Sequence, residues 1–483
     1  MSGRGLSRAT LECPPSEVFT RCFADEPFAF MLDNTTPGSQ QGRYSFMGSR
    51  PFLVFTARGN KWTVLRDGRV EQGQGEPFQA LGRLLAHWTM ESPAGAPPFL
   101  AGAVGFAGYE AGRMLERLHP SRVPTPGIPD LCFAFYDSVL ACDTLRGEAW
   151  LAGTGLRGPW ASSAQAQATR AREIAVRLAT APPDRPHRQF RLTSELSSSL
   201  PRGKYIDAVG EIKEAIRQGE VYQANLTRRF SASWAGDPVA LYLGLREVSP
   251  APFSAFLDFG RVKVVSSSPE RFLRVRGRRV ETRPIKGTRP RMGSPSADRK
   301  MALDLLRSPK DAAEHVMIVD LERNDLGRVC QAGTVKVAEL AALEVYPQVF
   351  HLTSTVTGRL RDGVTATDVL RASFPGGSIT GAPKIRAMEL LARLEPEPRD
   401  IYTGALGWIA FSGDCDLSIA IRTVTLAGRR LSFGVGGGIV ADSNPEEEYH
   451  ETLHKAQGML RALGALGGAE AVMPETAPVT VQN

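Results

Sequence analysis

Ser254-Ala255-Phe256-Leu257-Asp258-Phe259, Val262-Lys263-Val264-Val265-Ser266-Ser267-Ser268 and Arg271-Phe272-Leu273-Arg274-Val275-Arg276 are three strand-like runs in close succession. They are short and rich in the β-branched and aromatic residues that fit a pleated surface. Before them, residues 204–218 place Ile206, Val209, Ile212 and Ile216 on one helical face at spacings of three and four. After them the pattern predicts helices at 296–307 and 310–326 and strands at 333–339 and 350–360. Helices at 365–373 and 382–394 follow, then strands at 403–411, 416–426 and 431–435, and a last helix at 445–463. Runs of strands broken by helix pairs point to an α+β fold and not to a doubly wound sheet.

From Phe28 to Trp150 short alternating runs, such as Phe52-Leu53-Val54-Phe55 and Trp62-Thr63-Val64-Leu65, predict a mainly antiparallel sheet. Residues 163–180 are Ala-rich and predict a helix. The Ala181-Pro182-Pro183-Asp184-Arg185-Pro186 stretch and the Ser-rich residues 194–199 mark a composition break. The expected organisation is therefore an N-terminal region over 1–180, a linker over 181–203 and a catalytic region over 204–465. A small, polar tail over 466–483 is expected to be disordered.

The net charge of +7 comes from cations scattered among 51 acids, with no basic stripe and no aromatic platform. This argues against a nucleic-acid partner and for a local cationic pocket that takes a small anion. The six cysteines are too few and too spread for a disulfide framework, so reduced thiols in the cytoplasm are expected. The N-terminus lacks an apolar signal segment and no stretch approaches 18 consecutive apolar residues, so no membrane partner is expected.

Chemistry is concentrated in Thr282-Arg283-Pro284-Ile285-Lys286-Gly287-Thr288-Arg289-Pro290-Arg291. Like-charge crowding of Lys286 would favour its neutral, nucleophilic amine. Taken alone, the run reads more simply as a solvated basic loop. Ser266-Ser267-Ser268-Pro269-Glu270-Arg271-Phe272 stands upstream. Downstream come Asp320-Leu321-Glu322-Arg323-Asn324-Asp325-Leu326-Gly327-Arg328-Val329 and Ser378-Ile379-Thr380-Gly381-Ala382-Pro383-Lys384. Tyr402-Thr403-Gly404-Ala405-Leu406-Gly407 and Gly436-Gly437-Gly438-Ile439-Val440 complete the set. Together these segments resemble the chorismate-utilising enzymes, strongly over Lys204–Leu463 and more weakly over Phe28–Asp143. The resemblance implies two intertwined regions forming a large antiparallel β-sandwich flanked by helices, with one active site in the C-terminal part.

Asp311 and Glu314 are three apart on one predicted helix, and Glu448 and Glu451 on another, so each pair projects from one helix face. Such a set suits Mg2+, a hard cation that prefers oxygen ligands. The resemblance implies Glu314 and Glu451 as direct ligands, supported by Asp311 and Glu448. The plainer alternative is helix capping, with Asn444 as N-cap, Pro445 at the first helical position and acids in the first turn. The resemblance places Tyr402, Arg422, Gly436, Gly437, Gly438 and Lys455 around the substrate carboxylates, and adds Thr380 as a binding residue. A glycine run suits this role because backbone N–H groups stand unobstructed, and an arginine because its fork is bidentate.

Chorismate loses its C4 hydroxyl only if that group is protonated as it departs. Glu270 matches the family's general acid for this step, which requires a raised pKa. The alternative is a surface ion pair with Arg271. His351 matches a pocket histidine near the ring. Family members that add water at C2 carry a base lysine where this chain has Gln223, so isochorismate and salicylate synthesis are not expected. Lysine at 286 matches the branch that adds ammonia at C4 (aminodeoxychorismate synthases), where anthranilate synthases usually carry alanine. No cysteine has the setting of a glutamine amidotransferase nucleophile, so ammonia is expected from solution or from a separate glutamine amidotransferase subunit. Some relatives bind tryptophan in the N-terminal region. Here Asn34 follows Leu32-Asp33 where serine is usual, which leaves a tryptophan site unsupported.

Overall fold

The computed structural model describes residues 5–36, 41–116, 125–153, 163–180, 189–346 and 348–465. Two large sheets, of 13 and 12 strands, carry the fold, and every strand pair among the described residues is antiparallel. The larger sheet runs from N-terminal strands, among them Tyr44–Gly48 and Phe30–Asp33, into Phe253–Phe259, Val262–Ser268, Thr423–Ala427, Arg430–Ile439 and Gln223–Ala235. Its two halves meet where Leu32 pairs with Ala255. The smaller sheet joins Ile285–Pro290, Val349–Arg359, Arg279–Arg283, Arg271–Arg276, Cys415–Ile419 and Ala405–Ala410 to Gly102–Ala107, Leu131–Tyr136 and Leu53–Arg58. There Gly407 pairs with Gly105. Both sheets thus draw strands from both halves of the chain, an α+β sandwich.

Side-chain alternation builds three apolar layers from these two sheets. Val104, Phe106, Leu406 and Trp408 point into the sandwich with Phe30, Phe46, Leu257 and Val264. Their neighbours Ala103, Ala107, Ala405 and Ile409 point outward, under helices that include Pro77–Ala86 and Ala366–Ser373. The larger sheet's outer face, with Phe433 and Val435, packs under Pro15–Cys22, Ser163–Thr180, Pro238–Val248 and Pro445–Ala465. No described helix is long and apolar enough to cross a membrane.

Three helices were not expected: Pro15–Cys22, Pro77–Ala86 and Pro238–Val248. Each opens on a proline, which in sequence reads as loop punctuation but suits a helix's first turn, where its missing N–H is not needed. The strand expected at 416–426 is two strands, Cys415–Ile419 in the smaller sheet and Thr423–Ala427 in the larger, broken at Ala420–Arg422. The strand expected at 333–339 lies at Lys336–Val345. Of the expected linker, 181–188 lie outside the described residues, while Arg191–Leu192 and Ser197–Ser198 pair with Gln223–Ala235. The expected tail at 466–483 also lies outside them.

Candidate active site

Two of the places where the chain passes from one sheet to the other lie side by side. One runs through Pro269-Glu270, between Val262–Ser268 and Arg271–Arg276; the other is the Ala420–Arg422 break. The Ser267 N–H donates to the Arg422 carbonyl (3.1 Å), the Ile419 N–H to the Glu270 carbonyl (3.0 Å), and the Ser268 hydroxyl to the Ile419 carbonyl (2.6 Å). Most of the candidate catalytic groups gather around this seam.

Glu270 is 5 % exposed. Burial pushes its carboxyl up to about 7, against the opposing pull of Ser378, Lys286, the Ile285 N–H and Lys455. The expected alternative, an ion pair with Arg271, is excluded. Arg271 turns the other way, to Asp416 at 3.0 Å and Glu281 at 3.2 Å.

Lys286 lies where the pairing of Ile285–Pro290 with Val349–Arg359 shifts register between Ile285 and Thr288. Gly287 absorbs the bulge with φ of +82°, in the left-handed region that glycine tolerates. The bulge turns Lys286 inward, with its Nζ 3.9 Å from Glu314 Oε2 on helix Pro309–Gly327 and 3.4 Å from where a Cβ on Gly438 would stand. The expected crowding by like charge is not found. Arg283 pairs with Glu344, Arg289 with Asp304 and Asp311, and Arg291 with Asp298, so the charge that Lys286 faces is a carboxylate.

Arg422 takes a left-handed backbone at φ 49°, and no described residue bonds or ion-pairs with its guanidinium. Burial without a counter-charge pulls its pKa below the ordinary value. Its charge also reaches His351, whose pKa burial and Arg422 together lower to about 3, so this imidazole is neutral. His351 Nδ1 lies 2.8 Å from the Thr288 hydroxyl. The Thr380 hydroxyl donates to the Gly376 carbonyl at 2.9 Å, which fixes the turn and leaves its oxygen to accept. The Tyr402 ring lies against Gly434, where a Cβ would come within 2.1 Å of it, and burial raises its hydroxyl pKa.

The glycine run is part of the strand Arg430–Ile439, not the loop after it. On one edge Gly436, Gly437 and Gly438 pair with Thr227, Leu226 and Asn225. On the other, pairing with Thr423–Ala427 ends at Phe433, so beyond that point this edge faces the site. Lys455 Nζ donates to the Gly436 carbonyl (2.9 Å) and pairs with Glu451 (2.6 Å). Asn444 caps helix Pro445–Ala465 as expected, accepting from the Glu446 N–H at 3.0 Å.

The four candidate metal ligands do not close into one cluster, and no described group of three or more His, Cys, Asp or Glu does. Asp311 is bound to Arg289 at 3.1 Å, and Glu314 faces Lys286. Glu448 and Glu451 share a cradle: a Cβ on Gly437 would lie 3.1 Å from Glu448 and 3.6 Å from Glu451. Ser443 steadies the buried Glu448 through a 2.6 Å hydrogen bond. Two carboxylates over a bare glycine are the oxygen donors a hard divalent cation takes, so the residues fit Mg2+.

Three residues in the quoted segments had no role assigned from sequence. Ser378 lies against Glu270. Glu322, buried and raised well above the carboxylate range by desolvation, bonds the Thr282 hydroxyl at 2.8 Å. Asp325 holds Lys384 at 2.6 Å. Gln223, noted as a branch marker, is 1 % exposed, with its Nε2 2.1 Å from a Cβ position on Gly438. A separate cavity of about 290 Å3, lined in part by Asp33, Arg43, Tyr44, Arg271 and Trp408, includes none of the candidate site residues. Asn34 does not line it and spends its side-chain oxygen on Thr36, at 3.0 Å from the N–H and 2.6 Å from the hydroxyl.

A family model described as chorismate binding enzyme matches residues 29–461. The chain is 38% identical over 447 residues to anthranilate synthase component 1 of Cereibacter sphaeroides, covering 90% of this chain and 88% of that one. It is equally, 38%, identical over 441 residues to aminodeoxychorismate synthase component 1 of Escherichia coli K12, covering 90% and 93%. The crystal structure of anthranilate synthase component I from Streptococcus pneumoniae superposes with a TM-score of 0.78 at 31% identity, covering 94% of this chain and 99% of that one. The chain belongs to the chorismate-binding enzymes.

Proposed function

We propose that this enzyme aminates chorismate at C4 with ammonia, giving 4-amino-4-deoxychorismate, a precursor of p-aminobenzoate and folate, in the cytoplasm. The observation that carries this reading is the bulged Lys286, a nucleophile turned inward beside Gly438. Its amine attacks C2 while Glu270, held protonated by burial, gives its proton to the C4 hydroxyl, which leaves as water. The ring double bonds shift. Ammonia then attacks C4, the pair returns through the ring, and Lys286 leaves with the electrons of its bond to C2. The ammonium proton goes back to Glu270, which closes the cycle. Two displacements account for amination at C4 with retention of configuration and without loss of pyruvate.

Arg422 and the free edge of Gly436–Gly438 are proposed to hold the substrate carboxylates, with Thr380, Tyr402 and Lys455 completing the pocket and neutral His351 beside the ring. Glu451 and Glu448, with Glu314, would hold Mg2+, which supplies positive charge for the ring carboxylate when bound. Asp311 is left to a supporting role through Arg289. The "component 1" in the relatives' names supports a separate partner subunit, read here as a glutamine amidotransferase that supplies the ammonia. The catalytic part is taken as 204–465, with 1–180 as the N-terminal region.

The equal identity to anthranilate synthases supports a second reading, amination at C2 with loss of pyruvate, in which Lys286 plays no covalent part. Mass-spectrometric product identification with chorismate, Mg2+ and an ammonium salt separates the two. 4-Amino-4-deoxychorismate supports the first reading, and anthranilate overturns it in favour of the second.

A further inference from the structure

The segment Gly105-Phe106-Ala107-Gly108-Tyr109-Glu110 stands out in the sequence and has no part in the chemistry above. Its last two residues end against one buried arginine. Arg399 is 4 % exposed, and its guanidinium is fully engaged. Nε and Nη2 grip the two oxygens of Glu395 at 2.9 and 2.7 Å. Nη2 also donates to the Asn225 carbonyl at 2.7 Å, and Nη1 to the Ile379 carbonyl at 2.8 Å and the Thr403 hydroxyl at 3.4 Å. The Tyr109 ring covers the guanidinium at 4.3 Å, and Glu110 accepts the Arg399 backbone N–H at 2.9 Å.

Each acceptor is one step from a substrate-binding group. Ile379 precedes Thr380, Thr403 follows Tyr402, and Asn225 is the register partner of Gly438. The fixed end, Glu395, is held by the Thr227 N–H and hydroxyl at 2.9 Å each, and Thr227 pairs with Gly436. One rigid fork thus sets the spacing of three separate segments of the pocket. Five donors in a plane can do this, whereas the three donors of a lysine on a flexible stem cannot.

We infer that Arg399 is a positioning residue for chorismate binding, and that the N-terminal half of the chain contributes to that binding through Tyr109. This rests on the reading of the pocket as the chorismate site. The test is steady-state kinetics of the full chain for Arg399→Lys and Tyr109→Leu, with chorismate varied at saturating ammonium and Mg2+ and thermal melts alongside. Arg399→Lys should raise the chorismate KM roughly tenfold, the factor for losing one charge-assisted hydrogen bond, with a smaller change in kcat. Tyr109→Leu should raise it about threefold, the scale of a lost cation–π contact.

A residue that only stabilises the fold lowers the active fraction, so apparent kcat and Tm fall while KM stays put; that result overturns the inference. If Arg399→Lys is not recovered folded, Tyr109→Leu decides in the same way. Turnover by the wild type with an unchanged KM in both variants overturns the inference and leaves the reading of the pocket standing. Absence of wild-type turnover overturns the reading of the pocket and the inference with it.

Discussion

Replacing Glu270 with glutamine keeps the size and polarity of the side chain and removes its titration. Burial raises the folded-state pKa from 4.5 to about 7. At about 1.4 kcal/mol per unit, the folded state pays about 3 kcal/mol to ionise this group, an upper figure for a fully buried carboxyl. The sign follows from the folded state holding the proton more tightly. The stability this gives is fully present below about pH 4.5 and is lost as pH rises through about 7. Glutamine has no such dependence, so the variant should gain on the wild type as pH rises, by about 2.5 kcal/mol between pH 5 and 8.5. Urea unfolding of both proteins across that range measures the difference, and the other titrating groups cancel. Wild-type kcat/KM should fall above about pH 7 as the acid is lost, while the variant should be roughly 100- to 10,000-fold slower with no such limb. A stability difference flat in pH, or a wild-type limb centred near 4.5, would refute burial as the source of the acid.

Incubated with chorismate but no ammonia, the wild type should gain the mass of chorismate less one water, and Lys286→Ala should gain nothing. The same adduct on the variant would remove Lys286 from the chemistry. Arg422→Gln should raise the chorismate KM roughly 30-fold or more, the scale of a lost bidentate pair, yet leave stability unchanged or higher because an unpaired, partly buried charge is relieved. Calorimetry showing a marked loss of stability would mean that Arg422 has a partner in the free enzyme. His351 has its pKa lowered to about 3, so its stabilising effect is present above pH 6.5 and lost as pH falls toward 3. His351→Gln should therefore close any stability deficit against the wild type over that window, and a deficit constant in pH would exclude a buried neutral imidazole. Glu448→Gln and Glu451→Gln should each weaken Mg2+ binding roughly tenfold or more by isothermal titration, the scale of losing a charged ligand. Unchanged affinity would place the metal elsewhere.

Most helices and strands were legible because their apolar periods of 3.6 and 2 survive in the sequence, as Ile206–Ile216 and Phe52–Phe55 show. The break at Arg422 was not. Ala420-Ile421-Arg422 contains neither glycine nor proline, and its turn is imposed by distant partners, the Ser267 N–H on the Arg422 carbonyl and the Thr403 N–H on the Ala420 carbonyl. Glu270 was legible as an acid whose role requires a raised pKa, but the arrangement that frees it from Arg271 was not. Pro269-Glu270-Arg271 reads locally as an exposed ion pair, and Asp416, the next strand's Glu281 and the Gln41 carbonyl, brought there by the fold, draw the arginine away. The same blindness affected Lys286, whose cationic neighbours all find acids elsewhere in the fold. Residue types at a site can be read from sequence, whereas the pairing of charges depends on tertiary contacts.

Charge pairing also bears on what the pocket lacks. Around the seam stand Lys286, Arg422 and Lys455 against Glu314, Glu448 and Glu451, while burial favours the neutral form of Glu270. Two of these cations already face acids, Lys286 facing Glu314 and Lys455 facing Glu451, which leaves Arg422 as the one side chain open to a carboxylate. Chorismate brings two carboxylates, so one would be buried unmatched, at a cost of several kcal/mol. A divalent cation held by Glu448 and Glu451 would restore neutrality there. On the proposed function, metal and substrate would then bind as a linked pair, each strengthening the other by the same factor.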